Sequence, residues 1–177
     1  MDIGILAYGA YIPRRRLARK SIADANAWFS PALRGQAKGE RSMCNWDEDA
    51  VTMAVEAARD CLSGLARDRM RSVQLASTSF PFEDRLNSGI VAQALNLGAE
   101  ISTLDVGSSQ RAATAGLVAA LEGAAGAGAQ ALFLASEKRR TKAGSTLEMT
   151  SGDGAAALLI GAGRVIAKFL GANSRTV

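Results

Sequence analysis

The chain has 177 residues, a length that suits one domain. With 48% hydrophobic and 21% charged residues it reads as globular, which excludes a disordered chain. It contains no histidine and carries a net charge of +4, so Ser-His and Cys-His nucleophile pairs are excluded from anything it does alone.

"IGILAYGAYIP" (residues 3–13) is rich in Ile, Tyr and Leu and is closed by Pro13, which predicts a strand. "SIADANAWF" predicts a short helix with Ser21 as its N-cap. Residues 30–45 show no periodicity and read as a polar loop. In "NWDEDAVTMAVEAARDCLSGL" Val51, Ala54, Val55, Ala58, Leu62 and Leu65 recur at helical spacing. Asp47, Glu48 and Asp49 fall in the first turn of that helix, where its dipole favours carboxylates, and Gly64 is placed to end it.

"RSVQLAST" (71–78) reads as a strand, and "NSGIVAQALNLG" (87–98) as a helix capped by Asn87 or Ser88 and stopped by Gly98. "ISTLDV" (101–106) is a strand, followed by a helix over 109–126 and a strand over 128–137. The continuous apolar run of that last strand predicts burial on both faces. Beyond a basic polar loop, "GAAALLIGAG" (154–163) and "VIAKFLGA" (165–172) read as a closing hairpin around a Gly-Ala-Gly turn. Alternating strands and helices argue for parallel βαβ units.

No apolar stretch is long enough to span a membrane without glycine interruptions. The N-terminal basic cluster follows the apolar segment, the reverse of a secretory signal, so the expected location is cytoplasmic. Two cysteines make neither a disulfide framework nor a zinc site, and no metal is expected. Cys61 falls on the apolar helix stripe and reads as core, while Cys44 reads as more exposed.

The helix at 109–126 is unusual. From Ala112 to Leu121 no residue is charged, and a helix apolar all round is buried all round. One αβ layer covers only one flank of such a helix. The sequence therefore implies a further covering piece: a second half, a partner or a tightly packed dimer.

Several segments, in order, carry a resemblance: "IGILAYGAYIPRRRL", "DEDAVTMAVEAARDCL", the strand–turn–helix around Gln110, "ALFLASEKR" and "LEMTSGDGAAALLIG". Together they resemble the N-terminal half of the thiolase-superfamily condensing enzymes, of the hydroxymethylglutaryl-CoA synthase and ketoacyl synthase III type. The resemblance implies an α/β fold: a thiolase-like half with a mixed, mostly parallel five-stranded sheet and a buried central helix. Residues 1–177 would form that N-terminal half-domain, with the C-terminal half outside this chain.

It also implies acyl-CoA chemistry of the acyltransferase class, with a coenzyme A thioester as substrate and no cofactor. In that family a cysteine at the mouth of the buried helix takes an acyl group as a thioester, since a helix N-terminus stabilises a thiolate. A Glu acts as acid/base and a His from the C-terminal half assists. Here the nucleophile position falls on Gln110 and the Glu position on Thr78. Gln110 cannot form a thioester, but its amide can donate and accept hydrogen bonds.

Two alternatives stay open: a noncatalytic thiolase-fold subunit that assembles with an active partner, and a decarboxylating acyl-thioester enzyme, since decarboxylating relatives carry Gln at this position. Ser108 and Ser109 share the turn but lack a G-x-S-x-G elbow or a base, so Ser109 reads as an N-cap or a substrate contact. Arg139, Arg140 and Lys142 are candidates for the phosphates of coenzyme A, against a solvated loop as the plain reading. The Arg14–Lys20 cluster has the same status, and Asp105 is a candidate polar anchor at the site entrance, against an ordinary Asp before a turn as the plain reading. The expected partners are an acyl-CoA or acyl-thioester and a complementary thiolase-like half in a homodimer or hetero-oligomer. No membrane is expected, and a nucleic-acid partner would rest on net charge alone.

Overall fold

The computed structural model describes residues 2–127 and 129–175. In chain order its elements are β1 (Asp2–Tyr11), β2 (Arg15–Ala18), α1 (Arg19–Ala25), a 3-10 turn (Pro31–Gln36), β3 (Glu40–Met43), α2 (Ala50–Cys61) and β4 (Met70–Ala76). There follow α3 (Asn87–Ala94), β5 (Ser102–Val106), α4 (Ala112–Ala127), β6 (Gln130–Glu137), α5 (Thr146–Thr150), β7 (Gly154–Gly163) and β8 (Ala167–Lys168). Gly128, the first residue of the strand expected over 128–137, lies outside the described residues.

The main sheet has the order β5-β4-β6-β7-β1-β8. β4 pairs in parallel with β5 and β6, whereas β7 runs antiparallel to both β6 and β1. Of the five long strands β7 alone is reversed, so the mostly parallel α/β arrangement is the observed one, extended by the two-residue β8.

Side-chain alternation sends each strand's residues to two layers. Val73, Leu75, Leu132, Leu134, Ala157 and Leu159 face α2 and α3, in a core that includes Met53, Cys61 and Val91. Phe133, Ala131 and Ile160 face the other way, onto Ala112, Ala120, Leu121 and Ala124 of α4. β6 is buried on both faces, as its apolar run predicts. α2 sits unusually close to β1: a Cβ on Gly9 would lie 2.2 Å from the Cys61 nitrogen.

α4 is covered on one flank only. Gly116 meets the Phe133 ring, where a Cβ would come within 2.9 Å, while Thr114, Ala115, Ala119, Glu122 and Gly123 are exposed. The helix that the sequence marks for burial all round is half uncovered in this chain.

Local details correct several expectations. Ser21 is inside α1 rather than its cap, because the pairing of β2 with β3 holds Ala18 extended and the helix begins at Arg19. Residues 30–45 are not all loop: β3 pairs with β2 across more than twenty residues, a contact that no local window reveals. α5 likewise interrupts the basic loop.

Asp47 and Glu48 precede α2, and Asp49 is its N-cap, in a reciprocal box with Thr52. That helix ends at Cys61 with Leu62 as C-cap, so Gly64 lies in the following turn at φ +71° and Leu65 falls off the stripe into solvent. α3 takes its cap from neither Asn87 nor Ser88, and its stop is Asn96 (φ 53°) rather than Gly98.

The last two strands form no hairpin. β8 crosses to the far edge of β1, where Ile166 N and Phe169 N donate to Ile5 O and Ile3 O, each at 2.8 Å. Gly4 permits that approach, since its Cβ would stand 2.0 Å from Ala167 O.

Cys44 is buried, not exposed: its amide donates to Asp153 Oδ2 at 2.8 Å and its Sγ lies 3.4 Å from Met53 Sδ.

Candidate functional site

Three parallel strands end at the same edge of the sheet, where open α/β folds place their ligands. Ala76 of β4 is in register with Val106 of β5 and Ala135 of β6. The segments leaving them, 77–80, 107–111 and 138–140, are therefore neighbours. Ser77 N donates to Val106 O at 3.1 Å. Gly107 packs against the same segment, where a Cβ would stand 3.0 Å from the Phe80 ring.

Gln110 occupies the turn between β5 and α4 and is exposed. The turn is tight. Ser108 holds φ +64°, a left-handed conformation that costs a non-glycine residue about 1 kcal/mol or more. Ser109 accepts Arg111 N at its Oγ (3.1 Å) and Ala112 N at its carbonyl (3.0 Å), so it serves the helix entrance as a capping residue does. Gln110 thus stands two residues ahead of the first helical residue, with no side-chain hydrogen bond among the described residues.

Thr78 lies past the end of β4, exposed on a cavity of about 600 Å³ lined also by Asp49, Ser79, Lys138, Arg139 and Arg140. The Glu137 carboxylate reaches it from β6: Oε1 accepts Thr78 N at 2.6 Å, and Oε2 accepts Thr78 Oγ1 and Ser79 Oγ, each at 3.0 Å. Sequence reasoning overlooked Glu137. The available signal was its place as the single charge, at the last position, of an otherwise uncharged strand.

Arg139 and Arg140 line this cavity and form no ion pair among the described residues, whereas Lys142 is outside its lining. Lys138 Nζ turns inward to the Glu48 carbonyl. Glu48 is itself anchored, because the Asn45 amide (2.6 Å) and then the Tyr11 hydroxyl hold its carboxyl below the usual range. The Arg14–Lys20 cluster divides: Arg19 Nε straps Met149 O at 2.6 Å, while Lys20 pairs with Asp24 in solvent.

Asp105 borders a second cavity of about 550 Å³ with Ser108 and Asn87. Its main task is capping α3 from the neighbouring strand: Oδ2 accepts Asn87 N at 2.7 Å and Oδ1 accepts Ser88 N at 2.8 Å. Burial pushes its carboxyl up, but the hydrogen bonds from Ser88 and Asn87 outweigh that and hold it below the usual aspartate range. A depressed folded value means stability that is present at neutral pH and lost as pH falls through that value. Asp105→Asn, which turns an amide donor toward one of the two backbone N–H groups, is expected to cost about 1 kcal/mol or more at neutral pH. The difference from the parent should narrow in acid, as urea unfolding of both proteins across pH would record.

Neither thiol is poised as a nucleophile. Burial, reinforced by Asp153, pushes Cys44 up to about 12, and burial also raises Cys61. Among the described residues no group of three His, Cys, Asp or Glu side chains is arranged to hold a metal, and no helix is long and apolar enough to cross a membrane.

No family model matches the chain. It is 34% identical over 182 residues to the hydroxymethylglutaryl-CoA synthase of Methanococcus maripaludis (strain C6 / ATCC BAA-1332), covering 99% of this chain and 52% of that protein. It is 37% identical over 166 residues to the hydroxymethylglutaryl-CoA synthase of Methanosarcina mazei, covering 91% of this chain and 47% of that one. The chain thus spans about half the length of the curated relatives it matches.

Among solved structures, MvaS in complex with 3-hydroxy-3-methylglutaryl coenzyme A superposes with a TM-score of 0.78 at 27% identity, over 90% of this chain and 40% of that one. An HMG-CoA synthase complexed with CoA gives 0.79 at 25% identity, over 91% and 42%. The priming β-ketosynthase of the R1128 polyketide pathway shares the fold at 0.78 with 21% identity, over 93% of this chain and 51% of that one. By sequence the chain is a homologue of hydroxymethylglutaryl-CoA synthases over about half of their length, and its fold is the thiolase-like one that those synthases share with ketosynthases.

Proposed function

We propose that this chain is the N-terminal half of an acyl-CoA-handling protein of the condensing-enzyme type that binds its thioester without forming an acyl-enzyme. The observation that carries the reading is Gln110, exposed in the turn that feeds α4, in a chain 34% identical to a hydroxymethylglutaryl-CoA synthase across 99% of its length. An amide is no nucleophile, but at a helix entrance it can hydrogen-bond a thioester carbonyl. Arg139 and Arg140, without carboxylate partners among the described residues, supply donors of the kind that bind the phosphates of coenzyme A. The bound thioester is substrate; no cofactor enters this reading.

The test uses the full-length gene product and acetyl-CoA. Calorimetry is expected to show saturable binding, and intact mass no covalent acetyl group. Gln110→Cys is expected to gain one, because a thiol there would sit where the α4 dipole favours a thiolate. Absence of acetyl-CoA binding to the parent would overturn the reading.

A second reading is favoured by one observation: the uncovered flank of α4, where Thr114, Ala115, Ala119 and Gly123 offer small side chains to a neighbour, beside the single charge of Glu122. We infer a complementary thiolase-like half against it, from the same gene product or from a partner. In a noncatalytic subunit that packing would be the chain's main task. Acetyl-CoA binding with no turnover, together with a stable complex with an active homologue, would favour this second role.

A further inference from the structure

Among the described residues the main sheet ends at β5 on one side and at β1 and β8 on the other. β8 pairs only with Gly4 and Ile5, so β1 has no strand beside it from Ala7 to Tyr11. Ile5 O turns outward to accept the Ile166 amide. The bulge between Ile5 and Ala7 adds one residue to the two-residue alternation, so Tyr8 and Ala10 carry the next outward-facing N–H and C=O groups. Such an edge is a template for another strand. Tyr8 and Ile12, 72% and 61% exposed, would add apolar contact to any strand that paired there.

One of these groups is taken by a side chain of α2: Asp60 Oδ2 accepts Ala10 N at 3.0 Å. Gly9 permits the reach by letting α2 lie against β1, with Cys61 N 2.2 Å from where a Cβ on Gly9 would stand. The helix itself does not favour a carboxylate here. Asp60 falls in the last turn of α2, at the negative end of the helix dipole, and aspartate is a poor helix former. It forms no ion pair among the described residues. Asp60 and Ala10 are both exposed, so water would satisfy the Ala10 amide as well. A residue that breaks the local preference without a local return points to a role beyond its own helix.

We propose that Asp60 closes the free edge of β1, keeping it from pairing with the same edge of a second copy of this chain. The outward groups of two such edges are self-complementary about a two-fold axis. With Asp60 in place the Ala10 donor is occupied, and the two carboxylates would face each other across the pairing. β5 gives the sheet a second edge, so molecules that paired through both would extend without closing. This device is independent of what the cavities bind.

The experiment is the light-scattering mass of the full-length gene product and its variants, from micromolar to near-millimolar concentration. The parent is expected to hold one mass throughout. Asp60→Ala should gain mass with concentration, reaching about twice the parent's or more at the upper end. Its urea midpoint, read at the lowest concentration, should stay at the parent's, a separation that a merely structural hydrogen bond would not give. Asp60→Asn should associate less than Asp60→Ala, because its amide oxygen still accepts Ala10 N. Adding Ala10→Pro to Asp60→Ala should restore the parent mass, since proline has no N–H to offer a strand and is tolerated at a sheet edge. An Asp60→Ala protein that keeps the parent mass at every concentration would overturn the proposal. Association that survives Ala10→Pro would overturn it too, by placing the contact on another surface. So would a lowered urea midpoint or failure of Asp60→Ala to fold, either of which would make the carboxylate a structural group.

Discussion

Gly9→Ala is expected to destabilise the protein by about 3 kcal/mol or more, the upper range for overpacking a close-packed core. The added methyl would stand 2.2 Å from the Cys61 nitrogen and 2.5 Å from the Ala57 carbonyl oxygen. Both are backbone atoms of α2, so no rotamer change relieves the clash and the whole helix must lift from β1. That movement would loosen the core in which Met53, Ala54 and Ala57 are fully buried. Urea unfolding measures the loss. Gly35→Ala is the control: nothing lies within 4 Å of its added Cβ, and a change within about 0.5 kcal/mol is expected. A cost at Gly9 as small as at Gly35 would mean that α2 rides on the sheet with room to spare.

Asp153→Ala is expected to be of similar size, about 3–5 kcal/mol, by a different route. Asp153 and Arg41 are almost fully buried, with side chains 5% and 8% exposed and 3.7 Å between charged atoms. The pair ties β3 to the turn that opens β7, and Asp153 Oδ2 also accepts the Cys44 amide. Removing the carboxylate leaves a buried guanidinium whose remaining partner is the Glu148 carbonyl, at 3.0 Å. The cost is mostly that stranded charge, so the double variant Arg41→Met/Asp153→Ala should recover much of it in the same unfolding measurement. If the double variant is no more stable than the single one, the lost hydrogen bond to Cys44 dominates instead.

These two positions show where local reading stops. The glycine at position 9 looks unremarkable within a strand, because a sequence does not state which helix will cross it. Arg41 and Asp153 lie 112 positions apart and carry opposite charges that any surface could solvate. The same limit explains β3 and β8. Each is a short strand whose partner is remote, and period-two patterning cannot emerge from four residues or two.

The candidate site was legible only in part. The turn before α4 can be found by pattern, since an uncharged helix preceded by serines is a strong local signal. Glu137 could not be linked to Thr78 that way, because their contact spans 59 positions and depends on β4 and β6 lying side by side. The capping of α3 by Asp105 has the same origin: the carboxylate comes from the neighbouring strand, and the helix's own Asn87 and Ser88 receive rather than supply the cap.

What the sequence by itself determined is the order of the five long strands and of α1 to α4, the two-faced burial of β6 and the small-residue character of α4. All three follow from side-chain periodicity, which is a property of the chain alone. Only the tertiary structure decided that α4 is covered on one flank, that β8 closes on β1 and that Glu137 orients Thr78. Those outcomes depend on which backbones become neighbours, and that is settled by strand pairing between residues far apart in the chain.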